Sequence, residues 1–171
     1  TGPHFRGYTP VGGEMTGGRA DVREEIDLGP ERPVSHDTDR PWRRLQGPNQ
    51  WPTSVPDFEP TMTQWGDQMD RLGRTLLDAL AEGLEIDVDH FRNWVTPDPE
   101  TTIKAIRYPA PAADQKPQGV GTHRDFGLLT FVLQDAVGGL QVERANEHYL
   151  DIPHLPGCLL YTSPSPRDVE E

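Results

Sequence analysis

The chain has 171 residues, enough for a domain with a real core, but only 33% of them are hydrophobic. With 17 Gly and 18 Pro it is loop-rich without being low in complexity, and its net charge of −12 argues against electrostatic binding to nucleic acid. No stretch is apolar enough to span a bilayer or to read as a signal peptide, and the single Cys158 excludes an internal disulfide, in keeping with a cytoplasmic setting.

Residues 1–8 read as loop, and Gly12-Gly13 and Gly17-Gly18 punctuate a flexible segment. Val22–Leu28 fits a short strand or a turn of helix, and its uneven charges leave both open. Pro30, Pro33 and Pro41 then hold the chain extended. The clearest element is a long helix. Pro60 suits its first turn, Asp57 and Glu59 lie near the positive end of the dipole, and Met62, Trp65, Met69, Leu72, Leu76, Leu80 and Leu84 recur at steps of three and four. That stripe predicts a helix backing a sheet, with Asp67, Asp70, Arg71, Arg74 and Asp78 on its solvated face. Asp87–Phe91 opens a shorter helix on which His90 reads as a surface or packing residue. Thr101–Tyr108 is rich in β-branched residues and predicts a strand, ended by Pro109-Ala-Pro111.

A Gly-rich lead-in, 119–121, then brings His123-Arg124-Asp125, the apolar run Leu128–Leu133, a turn at Gly138-Gly139 and Leu140-Gln-Val-Glu143. At an extended strand end, residues i and i+2 share a face, so His123 and Asp125 can reach one metal ion while Arg124 points away. A neutral imidazole and a carboxylate are two of the three ligands in the facial triad that holds non-haem ferrous iron and leaves positions open. The letters also spell two protein-kinase signatures, but overlapped on one Asp they cannot do both jobs. The catalytic-loop pattern also needs Asn where Thr130 stands. Residues 139–143 and 149–152 predict a hairpin around a polar loop at 146–148.

The run from Gly119 to Glu143 resembles the iron and 2-oxoglutarate-dependent oxygenases of the isopenicillin N synthase-like superfamily, in which His-x-Asp-x-Gly-x-Leu-Thr and Gly-Gly-Leu-Gln-Val recur at this spacing. The resemblance implies an α+β chain holding part of a double-stranded β-helix, or jelly roll, with flanking helices. Residues 1–56 would be the latter part of the family's N-terminal region, 57–100 the helical segment backing the sheet, and 101–157 the first part of the oxygenase domain. It implies Fe(II) held by His123, Asp125 and a later His that the chain lacks, with 2-oxoglutarate as co-substrate and O2 as oxidant. The implied reaction is hydroxylation or a related oxidation of a small molecule. Two rivals are an oxidase of the isopenicillin N synthase type that uses no 2-oxoglutarate, and a catalytically silent jelly-roll binding protein.

The same resemblance makes Tyr108, in Arg107-Tyr108-Pro109, a pocket residue for co-substrate or substrate. Arg6 is a weaker candidate to meet a substrate carboxylate, against a solvated side chain in a packed loop. It gives Gly47-Pro-Asn-Gln-Trp-Pro52 a structural task. His148 and His154 are ligands by type, but neither precedes the Arg-x-Ser that follows the family's distal His, so both read as loop residues. Cys158–Asp168 matches a translated frame of the adapter used in transposase-made sequencing libraries. Residues 158–171 therefore read as an adapter-derived tail, although 158–161 keep the β character of the strand expected there.

Overall fold

In a computed structural model, residues 3–97, 99–111, 114, 117–144 and 148–162 are described. Residues 112, 113, 115 and 116, part of the predicted polar loop and the tail beyond 162 fall outside them. The chain divides into two compact units, residues 1–120 and 121–171. No helix among the described residues is long and apolar enough to cross a membrane.

The first unit is built on an antiparallel sheet in the order β1 (Gly7–Thr9), β4 (Glu24–Leu28), β5 (Ile103–Arg107). A small hairpin of β2 (Met15–Thr16) and β3 (Arg19–Ala20) sits between the first two in sequence. Within the segment at 22–28 that the sequence left open, Glu24–Leu28 form a strand. Its two-residue period sends Glu25 and Asp27 to one face, where both are buried, and Glu24, Ile26 and Leu28 to the other.

The long helix α1 runs from Phe58 to Gly83. Pro60 lies in its first turn, where a missing N–H costs nothing. Its deepest residues are Leu77 and Ala81, which with Leu28 form the buried apolar core. The predicted stripe is thus rotated slightly, and its last member, Leu84, is the exposed C-cap residue. Gly66 faces Ile103 of β5, whose Cδ1 would lie only 3.0 Å from a Cβ at that position, so the helix backs the sheet at a point that only glycine fits without adjustment.

On the solvated face, Asp78 takes the Arg92 guanidinium through two exposed 2.8 Å hydrogen bonds and so ties α2 (Asp89–Arg92) to α1. That hydrogen bond with Arg92 holds the Asp78 carboxyl below its ordinary pKa. The His90 ring packs between Phe91 and Trp94, 5.1 Å from each ring centre, which is the packing role expected of it.

The Gly47–Pro52 stretch is a backbone clasp. Asn49 accepts from the Gly29 N–H at 3.0 Å and donates to the Gly29 carbonyl at 2.8 Å, while Gln50 donates to the Arg6 carbonyl at 3.1 Å. Asn49→Ala removes two bonds to partly buried backbone groups. It should cost about 1–3 kcal/mol, read as a lower urea midpoint with an unchanged slope.

The second unit has two strand pairs. β6 (Thr130–Val132) pairs antiparallel with β9 (Leu160–Thr162), and β7 (Gln141–Arg144) with β8 (His148–Asp151). The predicted hairpin is β7–β8, in register Val142 to Leu150. Gly138 and Gly139 both take positive φ in the turn before β7, as a side chain there would resist. The strand expected at 158–161 is β9, which begins at Leu160 and reaches Thr162. None of the unit's described residues is fully buried, and Leu133 and Val137 are 54% and 89% exposed.

Candidate metal centre

Residues 121–129 lie in no strand, contrary to the strand-end placement read from the sequence, because β6 begins only at Thr130. Side-chain hydrogen bonds orient the motif instead. His123 Nδ1 lies 2.9 Å from the Gly121 carbonyl oxygen. A carbonyl can only accept, so this nitrogen carries a proton, and in the neutral ring the lone pair is then on Nε2. Thr162 of β9 donates its hydroxyl to Asp125 Oδ2 at 2.7 Å, leaving Oδ1 unencumbered by that bond.

The two remaining donor atoms face each other, with His123 Nε2 3.5 Å from Asp125 Oδ1. Metal–ligand distances of about 2.0–2.2 Å would put two adjacent donors about 3 Å apart, so this pair needs only a small adjustment to share an ion. Each ligand's other atom is held by a partner, the arrangement that fixes tautomer and ring orientation in metal sites. The donor set therefore fits a divalent first-row metal. Half of the His123 side chain is exposed, so an ion has access.

No third histidine, cysteine or acid among the described residues completes the set; His148 and His154 do not join it. The described residues do contain one group of three acids close enough for a cation, Glu14, Glu25 and Asp27. Its cation is already present. Lys104 Nζ lies 2.5 Å from Glu25, 2.6 Å from Asp27 and 3.9 Å from Glu14, and Arg23 bridges Glu14 at 2.6 Å and Glu25 at 3.2 Å. The sequence reading missed this cluster. Its signal was there: an alternating strand with Glu25 and Asp27 on one face and a lone lysine in the next strand.

Tyr108 and Arg6 belong to the first unit. Tyr108 follows β5, is half exposed, and packs its ring on Gly119, where a Cβ would come within 3.1 Å. Arg6 is 5% exposed, which overturns the solvated alternative. It bonds to Glu100 at 3.2 Å and to the carbonyls of His4 and Phe5. Arg32 and Gln46 meet the same Glu100 carboxylate.

Comparison with known proteins identifies the family. The 2OG-Fe(II) oxygenase superfamily matches residues 78–165, just over half of the chain, and the N-terminal family described as "non-haem dioxygenase in morphine synthesis" matches residues 1–54. The 2-oxoglutarate-dependent dioxygenase frbJ of Dothideomycetidae sp. is 30% identical over 92% of this chain and 44% of its own length. A crystal structure of a 2OG-Fe(II) oxygenase family protein from Caulobacter crescentus superposes with a TM-score of 0.75 at 28% identity, over 94% of this chain and 51% of that one. A full-length Neurospora crassa protein crystallised in complex with alpha-KG and thymine gives 0.76 at 25% identity, over 95% and 52%. The chain spans about half the length of the relatives it matches. By the family match, with an intact His-x-Asp pair inside the matched region, this chain belongs to the 2OG-Fe(II) oxygenase superfamily.

Proposed function

We propose that the chain supplies the first two iron ligands, His123 and Asp125, of a 2-oxoglutarate-dependent oxygenase that oxidises a small molecule, hydroxylation being the expected outcome. The observation that carries this reading is the 3.5 Å approach of His123 Nε2 to Asp125 Oδ1, with Nδ1 and Oδ2 each engaged elsewhere. The strand pairs β6–β9 and β7–β8 are read as part of a jelly roll.

Within this reading His123 presents a neutral nitrogen and Asp125 an anionic oxygen, so the pair contributes one negative charge toward a divalent ion. Bound Fe(II), with 2-oxoglutarate and O2 at its open positions, would supply the oxidising chemistry. Tyr108 is assigned to the pocket for co-substrate or substrate, where its half-exposed ring can offer a hydroxyl. Arg6 is kept there only as a supporting residue, since Glu100 already takes its charge. A small-molecule substrate suits the net charge of −12 and the thymine and 5-formyluracil complexes of the Neurospora neighbour. Residues 158–168 are read as adapter-encoded. On that reading Thr162 stands where the natural chain carries its own residue behind Asp125.

The test is ferrous iron and 2-oxoglutarate binding by a full-length parent, beside its His123→Ala and Asp125→Ala forms. Stoichiometric iron that both variants lose, with 2-oxoglutarate consumed, is the expected result. Iron binding without 2-oxoglutarate consumption would point to the oxidase, and iron retained in both variants would overturn the ligand assignment.

A further inference from the structure

The loop at 121–129 has no strand or helix ladder to hold it, so local side-chain bonds decide where His123 points. The Gly121 carbonyl takes the Nδ1 proton, and the residue between them, Thr122, is bonded through its hydroxyl to the Tyr149 hydroxyl at 2.8 Å. Tyr149 lies on β8, directly opposite Glu143 of β7. Its hydroxyl is therefore anchored by a paired hairpin rather than by a second loop. The Gly121 carbonyl and the Thr122 nitrogen share one planar peptide unit, so a restraint on Thr122 is a restraint on that carbonyl.

We propose that Tyr149 is a positioning residue for the metal centre. It clamps Thr122, keeps the Gly121 carbonyl turned toward His123, and so selects the tautomer that leaves Nε2 free. The functional meaning rests on His123 being an iron ligand, but the clamp itself can be measured without metal.

The experiment uses the 171-residue chain labelled with 15N. Imidazole ring spectra are recorded at about pH 8.5, where a histidine ring is neutral, and His123 is identified by the signals lost in His123→Gln. In the parent chain His123 should be mainly the Nδ1–H form. Tyr149→Phe and Thr122→Val should each move the ratio several-fold toward Nε2–H, Thr122→Ser should keep it, and the double variant should go no further than either single, since one bond is broken. Cross-strand signals between Val142 and Leu150 report whether the hairpin is intact. If Tyr149→Phe loses the hairpin, Thr122→Val tests the same bond from the loop side.

An unchanged ratio in Thr122→Val, or additive shifts in the double variant, overturns the clamp. A parallel Co(II) titration should show affinity falling about 10–100-fold in Tyr149→Phe, as for other residues behind a ligand. A shifted tautomer in a chain that binds no Co(II) even as wild type would uphold the clamp and overturn the weak two-ligand binding expected of this chain.

Discussion

Lys104→Met should destabilise the first unit by about 3 kcal/mol, the low end of the roughly 3–5 kcal/mol expected when one partner of a buried ion pair is removed. The low end applies because the Lys104 side chain is 37% exposed, so water already screens part of its charge. Its two nearest acids have no such relief, with Glu25 and Asp27 buried on the same face of β4. Without the ammonium Glu25 would keep Arg23 at 3.2 Å, while Asp27 would lose its ion pair with Lys104. All four tryptophans lie before residue 95, so urea unfolding followed by tryptophan fluorescence reports on this unit.

The pH dependence gives a second check, with a defined sign. Burial pushes the Glu25 carboxyl above its ordinary pKa, and the hydrogen bond from Lys104 holds it back. A raised group contributes stability below its unfolded pKa and loses it as pH rises through the folded value. Without Lys104 the rise in Glu25 becomes larger, so the gap between variant and wild type should narrow as pH falls from about 8 toward 5. Lys104 itself is raised: its burial is outweighed by hydrogen bonds to Asp27 and Glu25. Its own contribution is lost only at strongly alkaline pH, outside this window. Glu14 moves the opposite way. Burial opposes the shift, but the hydrogen bond from Arg23 and the Lys104 charge hold its pKa down, so its contribution is present above the ordinary glutamate range and is lost as pH falls through its lowered folded value. A loss below about 1 kcal/mol, or a gap that widens on acidification, would show that the cluster is no more than a surface ion network.

This cluster also marks the limit of what the sequence disclosed. The long helix was legible because its apolar residues recur at helical spacing, and the hairpin at 141–151 because β-rich runs flank a polar turn. Strand β4 was not, because a strand whose buried face carries Glu25 and Asp27 inverts the usual rule that charge marks the solvated side. Only the partner strand, nearly eighty residues away in sequence with Lys104 opposite Asp27, resolves it. The His-x-Asp pair was visible from residue types alone, yet the reason given for its geometry was wrong in one respect. The convergence owes nothing to strand alternation and is set by Gly121, Thr162 and the local backbone, which no spacing rule encodes.

The 171-residue chain itself should hold ferrous iron weakly and should not turn over 2-oxoglutarate. Removing even a residue behind a metal ligand costs about 10–100-fold in affinity, and a missing ligand removes more than that. Here His123 and Asp125 have no third histidine or acid beside them among the described residues, and water would have to fill the remaining positions. The sequence also has no Arg-x-Ser to grip the co-substrate carboxylate, and a bidentate Arg–carboxylate pair is not easily replaced by other side chains. The weak site should still depend on both ligands. Isothermal titration with Co(II) should give a shallow curve for the chain and none for His123→Ala or Asp125→Ala. Thr162→Val, which frees Asp125 Oδ2 and lets the carboxylate rotate, should weaken what binding there is by about tenfold. Tight, stoichiometric metal binding by residues 1–171 that survives His123→Ala would mean that the ion sits elsewhere. Tight binding that His123→Ala abolishes would mean that a third ligand reaches the pair in solution.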